Sequence, residues 1–473
     1  MNLNRKISRR QFIGQANCAA VGTASLLSSL LSLRLTAGAV SANAFNDYKV
    51  LICLFLNGGN DSYNMLVPRD DDAYSEYAQV RGGTYLDTGG TGLAHRKEDL
   101  LPISSVGQDY TDFGIHPKLP FLQSLYNEGN AAFISNVGSL IEPTTRAQYN
   151  SGSHSLPQGL FSHPDHQIHW QTLVPQVRGS TNKGWAGRMA ESMTQANQSS
   201  SISMNISLSG TNVLQTGMGT VPYITNPDGA VSLSGYTDPT LKMAVDDILG
   251  NHYHNVYART LAETNRNAID ASEAFKYAVD DKVNTTNFPD TKIGERLAMI
   301  ARIMQARDPL LMQRQIFFVE RGGWDHHNEV IAPQENLFEE INEALQAFWT
   351  EIGNSGPNGD NLRDSVVIYT ASDFGRTLTS NGSGSDHAWG GNHFVINGSM
   401  NGGKIYGQYP VLATGSPNDI GRGRLLPTTS VDAYMTELAS WFGVPMNEME
   451  TVIPNLENFS FANTPYPLGM LGL

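Results

Sequence analysis

The chain predicts an α/β fold with a central, mostly parallel sheet and helices on both faces. Three observations predict it. First, nearly unbroken apolar runs of strand length recur, beginning with Tyr48-Lys49-Val50-Leu51-Ile52-Cys53-Leu54-Phe55-Leu56. A run without polar alternation suits a strand buried on both faces. Second, stretches of helical periodicity separate these runs, and the order strand, helix, strand favours parallel winding. Third, the runs end in glycine-flanked turns rich in Asp and His, the position at which open α/β sheets bind ligands.

The elements follow in order. The first strand enters the turn Asn57-Gly58-Gly59-Asn60-Asp61. Residues 70–110, rich in Asp, Gly and Thr, read as a surface excursion. Leu119, Leu122 and Leu125 give residues 117–128 helical spacing, and a second buried strand follows over 130–137. Residues 160–172 predict a helix opened by Ser162 or its neighbours. Residues 199–208 alternate like a half-exposed strand, and 209–240 read as loop or small hairpin. From 238 to about 306 the pattern is mostly helical, interrupted near 284–289. Gln315-Ile316-Phe317-Phe318-Val319-Glu320 is the next strand. Leu337, Phe338, Ile341, Leu345 and Phe348 share one face of an amphipathic helix over 336–352. Strands over 365–370 and 393–398 and a helix over 431–442 complete the pattern.

At 473 residues and 40% hydrophobic, the chain can bury a large core without crosslinks. Residues 45–473 are expected to form one α/β domain with a helical insertion at about 238–310. Two cysteines are present, Cys18 and Cys53. Cys53 lies in the first strand and reads as a small core hydrophobe. The formal net charge is −14. Residues 1–44 hold five basic and no acidic side chains, so the remainder carries 26 basic against 45 acidic residues, a net of −19. Such a surface repels nucleic acid and anionic membrane. An anionic substrate would need a local positive site.

Ser8-Arg9-Arg10-Gln11-Phe12-Ile13-Gly14 precedes an apolar stretch that ends at Ala42-Asn43-Ala44. A basic start, an apolar middle and small residues at the cleavage position are the parts of a signal peptide. The paired arginines point to the twin-arginine route, with its translocase as partner during export. Residues 1–44 are therefore expected to be removed, and the protein to be periplasmic or otherwise exported. That route carries folded proteins, so a metal can be loaded before export.

Carboxylates and imidazoles bind divalent metals, and they gather in the turns. Asp61 follows the first strand. In Gly322-Gly323-Trp324-Asp325-His326-His327, residues two apart point the same way, so Asp325 and His327 can share a metal while His326 points elsewhere. Asp373 follows a strand that predicts burial, and needs a cation or donors; Arg376 is the alternative partner. Asp386, His387 and His393 lie within eight residues. His163, His166 and His169 recur on one helix face, as a metal- or phosphate-binding face or as an ordinary polar face. Ser162 heads that helix, as a nucleophile beside exposed N–H groups or as a simple N-cap.

Taken in order, these motifs resemble a bacterial exported family of unknown function within the alkaline phosphatase and sulfatase superfamily. The similarity covers nearly the whole mature chain. The resemblance implies an alkaline-phosphatase-like three-layer fold with two divalent metal ions (zinc, manganese, calcium or magnesium) at the strand ends. It implies Asp61, Asp325, His327, Asp373, Asp386, His387 and His393 as metal ligands. Ser162 is the candidate nucleophile and Arg376 a catalytic residue. The family usually has Glu where Asp373 stands, and a small hydroxyl residue where His326 stands. No Cys lies in the context that sulfatases modify. The expected function is an exported metal-dependent hydrolase acting on a small anionic phosphate or sulfate ester. The alternative is a non-catalytic exported binding or structural protein that keeps the fold. No G-x-G-x-x-G opens a helix, which leaves little for a dinucleotide-dependent redox enzyme.

Overall fold

The computed structural model describes residue 45 and residues 47–86, 92–179, 183–197, 202–231, 233–354 and 359–472. The expected signal peptide and Cys18 lie outside them. Among the described residues, no helix is long and apolar enough to cross a membrane.

The first half of the chain supplies β1 (Lys49–Asn57), β2 (Leu66–Pro68), β3 (Leu101–Ser104), β4 (Asp112–Ile115) and β5 (Ala131–Gly138). Three short strands follow: β6 (Asn205–Ser207), β7 (Tyr223–Asn226) and β8 (Gly229–Ala230). The second half supplies β9 (Arg314–Gly322), β10 (Val366–Ser372), β11 (Arg376–Ser380) and β12 (Ser385–His387). It ends with β13 (Gly391–Ile396), β14 (Ile405–Tyr406) and β15 (Thr429–Ser430). The large sheet runs β14, β5, β13, β10, β1, β9, β6, β7, β8, and β15 also pairs with β5. It is mixed but mostly parallel. β1 pairs in parallel with β9 and β10, while β13 is antiparallel to both β10 and β5.

β1 is apolar throughout because both of its faces are covered. Val50, Ile52, Leu54 and Leu56 join one core with Leu297, Ile300, Leu345 and Phe348 of the helices Lys292–Gln305 and Ile331–Ile352. On the other face, Cys53 and Phe55 meet Trp170, Trp185, Tyr369 and Met435. Each such side chain contributes roughly 1.5–3 kcal/mol relative to exposure. Cys53 is buried and unpaired, and burial pushes its thiol up to about 12. It is an inert core residue at neutral pH.

The sheet order differs from a simple strand–helix–strand winding. β1 does not neighbour β5; its partners arrive from more than 250 residues later in the chain. The segment 70–110 is also more than a surface excursion. It contains the helix Asp71–Val80, whose Tyr77 is buried, and continues to buried Arg81 and His95. Residues 209–240 do hold a small hairpin, with β7 antiparallel to β8. The helical stretch resolves into Pro239–Gly250, Val256–Val279 and Lys292–Gln305. The first of these buries none of its residues.

Register decides where the chemistry lies. Leu56 stands opposite Ser372 and Asn57 opposite Gly322. The C-terminal ends of β1, β9 and β10 are therefore level and adjacent. The turns carrying Asp61, Asp325 and Asp373 leave from the same edge.

Away from this edge, the helix Val431–Phe442 carries a buried carboxyl group. Burial pushes Asp432 up to about 7, with a hydrogen bond from its own backbone and the Arg188 charge opposing it only in part. The folded value lies above an unfolded value of roughly 3.9. The group's contribution is therefore fully present below about pH 4 and is lost as pH rises through about 7, by at most about 4 kcal/mol. Asp432→Asn is expected to flatten stability across that window and to raise the melting temperature by a few degrees above it. Melting curves on both sides of the window check this. An equal shift at both would remove the charge from the explanation.

Candidate metal centre

β9 ends at Gly322, and Gly323 takes a φ of +103° to turn the chain. Trp324 then packs inward on Phe338, with ring centroids 5.1 Å apart. His326 is also buried, whereas Asp325 and His327 are 46% and 39% exposed at their side chains. The alternation expected for an extended segment thus presents one carboxylate and one imidazole on the same side.

The turn after β1 presses against this segment. A Cβ on Gly58 would lie 2.6 Å from the Asp325 backbone nitrogen, and one on Gly59 would lie 2.5 Å from the Phe374 ring. Both glycines have positive φ, +123° and +84°. Only glycine permits this conformation and this approach together. Phe374, in the loop after β10, forms an aromatic floor, its ring centroid 4.7 Å from that of His163 and 4.6 Å from that of His387.

Three imidazoles converge on one carboxylate oxygen. Asp325 Oδ1 lies 3.0 Å from His327 Nε2, 3.3 Å from His387 Nε2 and 3.4 Å from His163 Nε2. His327 Nε2 and His387 Nε2 are 2.8 Å apart. His163, Asp325 and His387 can offer ligand atoms that all lie within 4.8 Å of one another. His387 arrives because β11 and β12 form a hairpin that pairs Arg376 with His387. His163 arrives because it is the first residue of the helix His163–Thr172.

The outer nitrogens fix two of the three tautomers. His387 Nδ1 is 2.7 Å from the Phe161 carbonyl oxygen, which can only accept, so Nδ1 carries a proton. His163 Nδ1 donates to Asp373 Oδ2 at 2.7 Å. His327 Nδ1 faces Asp386 Oδ1 at 3.4 Å. In their neutral forms His163 and His387 therefore aim Nε2 lone pairs at Asp325, whereas His327 can carry its proton on Nε2 and donate it to His387 Nε2. Carboxylates behind histidines are the outer shell of many metal sites.

The charges respond accordingly. Asp386 falls to about 2 because Asn381 donates to it and Arg422 pairs with it. Burial works to raise Asp325, but the Arg376 hydrogen bond with the charges of Arg376, His327 and His163 brings it below its ordinary value. His163 is raised, first by its hydrogen bond to Asp373. His387 is lowered by burial.

The sequence candidates separate into groups. Asp325, His327 and His387 meet directly. Asp373 and Asp386 stand behind His163 and His327. Asp373 also accepts from the Gly58 backbone N–H at 3.1 Å and from Gln167 at 3.0 Å. Asp61 forms a buried ion pair with Arg81. Arg376 is buried, donating to Asp325 at 2.9 Å and to the Ser385 carbonyl at 2.8 Å; it positions the carboxylate. His393 lies elsewhere, its ring 4.7 Å from that of Trp170 and its Nδ1 3.5 Å from Thr370 Oγ1. Burial lowers it to about 3. Ser162 is the N-cap residue but makes no side-chain cap bond.

His163 was outside the ligand set that the resemblance implied, although its helix face was one reading of a metal-binding surface. Its signal was present, since it follows Ser162 at the head of a predicted helix, but three evenly spaced histidines hid which one mattered. His166 and His169 are buried and lowered to about 3 and 4, so they belong to the packing. Asn381 and Arg422 had no local signal at all.

Fold and site together define an α/β protein with a histidine–carboxylate cluster at the C-terminal edge of a mixed, mostly parallel sheet. Residues 48–453 match the family model described as a protein of unknown function, DUF1501. The chain belongs to that family. No curated protein matches it.

Proposed function

We propose that this protein is an exported metal-dependent hydrolase of phosphate or sulfate esters, built on an alkaline-phosphatase-like fold. One observation carries the reading. Three imidazole Nε2 atoms face one carboxylate oxygen at 3.0–3.4 Å, while the outer nitrogens of His163 and His387 hold their protons on Asp373 and Phe161. The same oxygen accepts from Arg376 at 2.9 Å, and the Nε2 lone pairs of His163 and His387 that face it repel one another unless a cation or proton lies between them. A donor set of three imidazoles and one carboxylate suits zinc more than calcium or magnesium.

A cation held by His163, Asp325, His327 and His387 would act as a Lewis acid toward an ester oxygen and make bound water more acidic. The chain's own residues prepare that site. Arg376 fixes Asp325, Asp373 fixes His163, and Asn381 with Arg422 fixes Asp386 behind His327. Asp61, already paired with Arg81, is not assigned to the cation. The proposal therefore has one cation at this cluster, with a small anionic ester drawn to it on an otherwise acidic protein. Loading before twin-arginine export fits a site assembled from three separate segments of the chain.

The attacking group in this reading is water, because among the described residues no hydrogen bond ties the Ser162 hydroxyl to the groups that converge on Asp325. The same observation favours a second reading, an exported binding protein that keeps the metal and lacks a nucleophile. The purified mature chain, reconstituted with zinc or manganese, is to be assayed on nitrophenyl phosphate and sulfate esters. Metal-dependent hydrolysis that Ser162→Ala retains for the most part is expected. A loss of about 10³-fold in Ser162→Ala would make Ser162 the nucleophile. A fully loaded protein that hydrolyses none of these esters would leave the binding reading.

A further inference from the structure

Behind the turn at residues 58–61 lies a second polar cluster that the metal centre does not use. Its members form a ring, joined by an ion pair and by ring packing and, between Arg81 and His95 and between His326 and Asp61, by charge alone. Asp61 pairs with Arg81, and the Arg81 charge acts on His95. The His95 and His116 rings meet edge to face with centroids 4.5 Å apart. His116 packs on Phe338 at 4.8 Å, Phe338 on Trp324 at 5.1 Å, and Trp324 on His326 at 6.2 Å. His326 in turn feels the Asp61 charge. Gln334 donates to the Asp61 carbonyl oxygen at 2.8 Å and spans the ring.

Every polar residue in this ring is buried. Eight of their side-chain atoms have no hydrogen-bond partner among the described residues: Asp61 Oδ1, Arg81 Nε, His95 Nε2, His116 Nε2, Trp324 Nε1, both His326 ring nitrogens and Gln334 Oε1. Buried groups in native proteins are almost always satisfied by protein or by internal water. A concentration of this kind in one place marks a bound species.

The donor and acceptor types identify it. Asp61 Oδ1 and Gln334 Oε1 accept. Arg81 Nε and Trp324 Nε1 donate. His116 Nδ1 accepts from the Lys118 backbone N–H at 3.1 Å, so the neutral ring carries its proton on Nε2 and donates there. Neutral His326 offers one donor and one acceptor. A metal ion needs lone pairs alone, and an anion needs donors alone. Only a species that both gives and takes hydrogen bonds fits the mixture.

We propose that this ring is a buried water-binding chamber, holding roughly two or three water molecules at about three hydrogen bonds each, and that it positions His326. His326 lies between Asp325 and His327, so anchoring its ring inward holds the two site side chains outward. His326 is thus a positioning residue for the cluster. That positional role rests on the metal reading above; the hydration does not.

The test is a crystal structure of the mature protein at a resolution that orders internal water, with anomalous data for metals, beside zinc titrations of His326→Phe and His326→Gln. Water bridging His326 to Asp61, Trp324 or Gln334 is expected. His326→Phe should bind zinc roughly tenfold or more weakly well below its melting temperature, and His326→Gln, which keeps a donor and an acceptor, should recover most of that affinity. A metal peak or an anion in the ring, or side chains closing it with no internal solvent, would overturn the chamber. A folded His326→Phe that binds zinc like the parent would overturn the positioning role. If the parent binds no zinc, the metal reading fails and the positioning role with it, while the electron density alone decides the chamber.

Discussion

Replacing Asp325 and His387 together by alanine is expected to abolish metal retention while the fold survives. Asp325 is the common partner of three imidazoles, and His387 is the ring whose outer proton is committed to a backbone carbonyl. Loss of a residue behind a ligand already weakens metal binding by about 10–100-fold. Loss of two ligands should exceed the upper end of that range. Neither side chain is a core residue, so packing is little changed. The cost to stability comes from Arg376, which is buried and loses its carboxylate while keeping the Ser385 carbonyl. About 1–3 kcal/mol is expected for a buried donor left short of a partner. Asp325→Asn keeps a hydrogen-bond acceptor for Arg376 and removes the charge, so it should retain more stability than alanine while still weakening the metal. Elemental analysis after dialysis, read beside circular dichroism and melting curves, checks all three variants. A folded double variant that retains as much metal as the parent would remove this cluster as the metal centre.

The Arg81→Met variant should be the most destabilising single change near the site, by about 3–5 kcal/mol. Arg81 and Asp61 are both fully buried, and Arg81 also donates to the backbone carbonyls of Thr377 and Leu378 at 3.1 and 3.3 Å. Removing the guanidinium leaves the Asp61 carboxylate uncompensated in a medium that solvates charge poorly. Adding Asp61→Asn should recover a substantial part of the loss, because it removes that charge. Denaturant unfolding of the two single variants and the double variant forms a cycle that isolates the coupling. Simple additivity in that cycle would mean that the pair is no unit. Arg81 also ties the turn after β1 to β11, so Arg81→Met is further expected to loosen the hairpin that carries His387.

These two results concern Asp61 in opposite ways. As a carboxylate after the first buried strand, it carried the same local signal as Asp325 and Asp373. The distinguishing fact is Arg81, twenty residues on, in a segment whose Asp, Gly and Thr content suggested exposure. Asp386 and His387 illustrate the same limit. They are neighbours in sequence, yet His387 faces Asp325 while Asp386 is held by Asn381 and Arg422. In a short strand, successive residues point to opposite sides, and which side meets the site depends on the pairing of β11 with β12. His393 shows the reverse case. It looked like part of a ligand-rich segment, but it belongs to β13 and is buried against Trp170 and Tyr434.

The sequence by itself determined the secondary structure that matters and the turns that carry the chemistry. Continuous apolar runs give buried strands, 3.6-residue periodicity gives helices, and Gly-Gly after a strand gives a turn that can approach another backbone. All of these are local properties of a few neighbouring side chains. It also showed that Asp325 and His327 share a side, because the two-residue repeat of an extended chain is local as well. Only the tertiary structure decided that β1 lies between β9 and β10, and that the antiparallel β13 separates β5 from that trio. It alone brought His163 to Asp325 across more than 160 residues of chain, and it alone gave Asp61 to Arg81. Strand order and long-range pairing are set by how all the apolar faces can be buried at once. That is a property of the whole chain and is not written in any single segment of it.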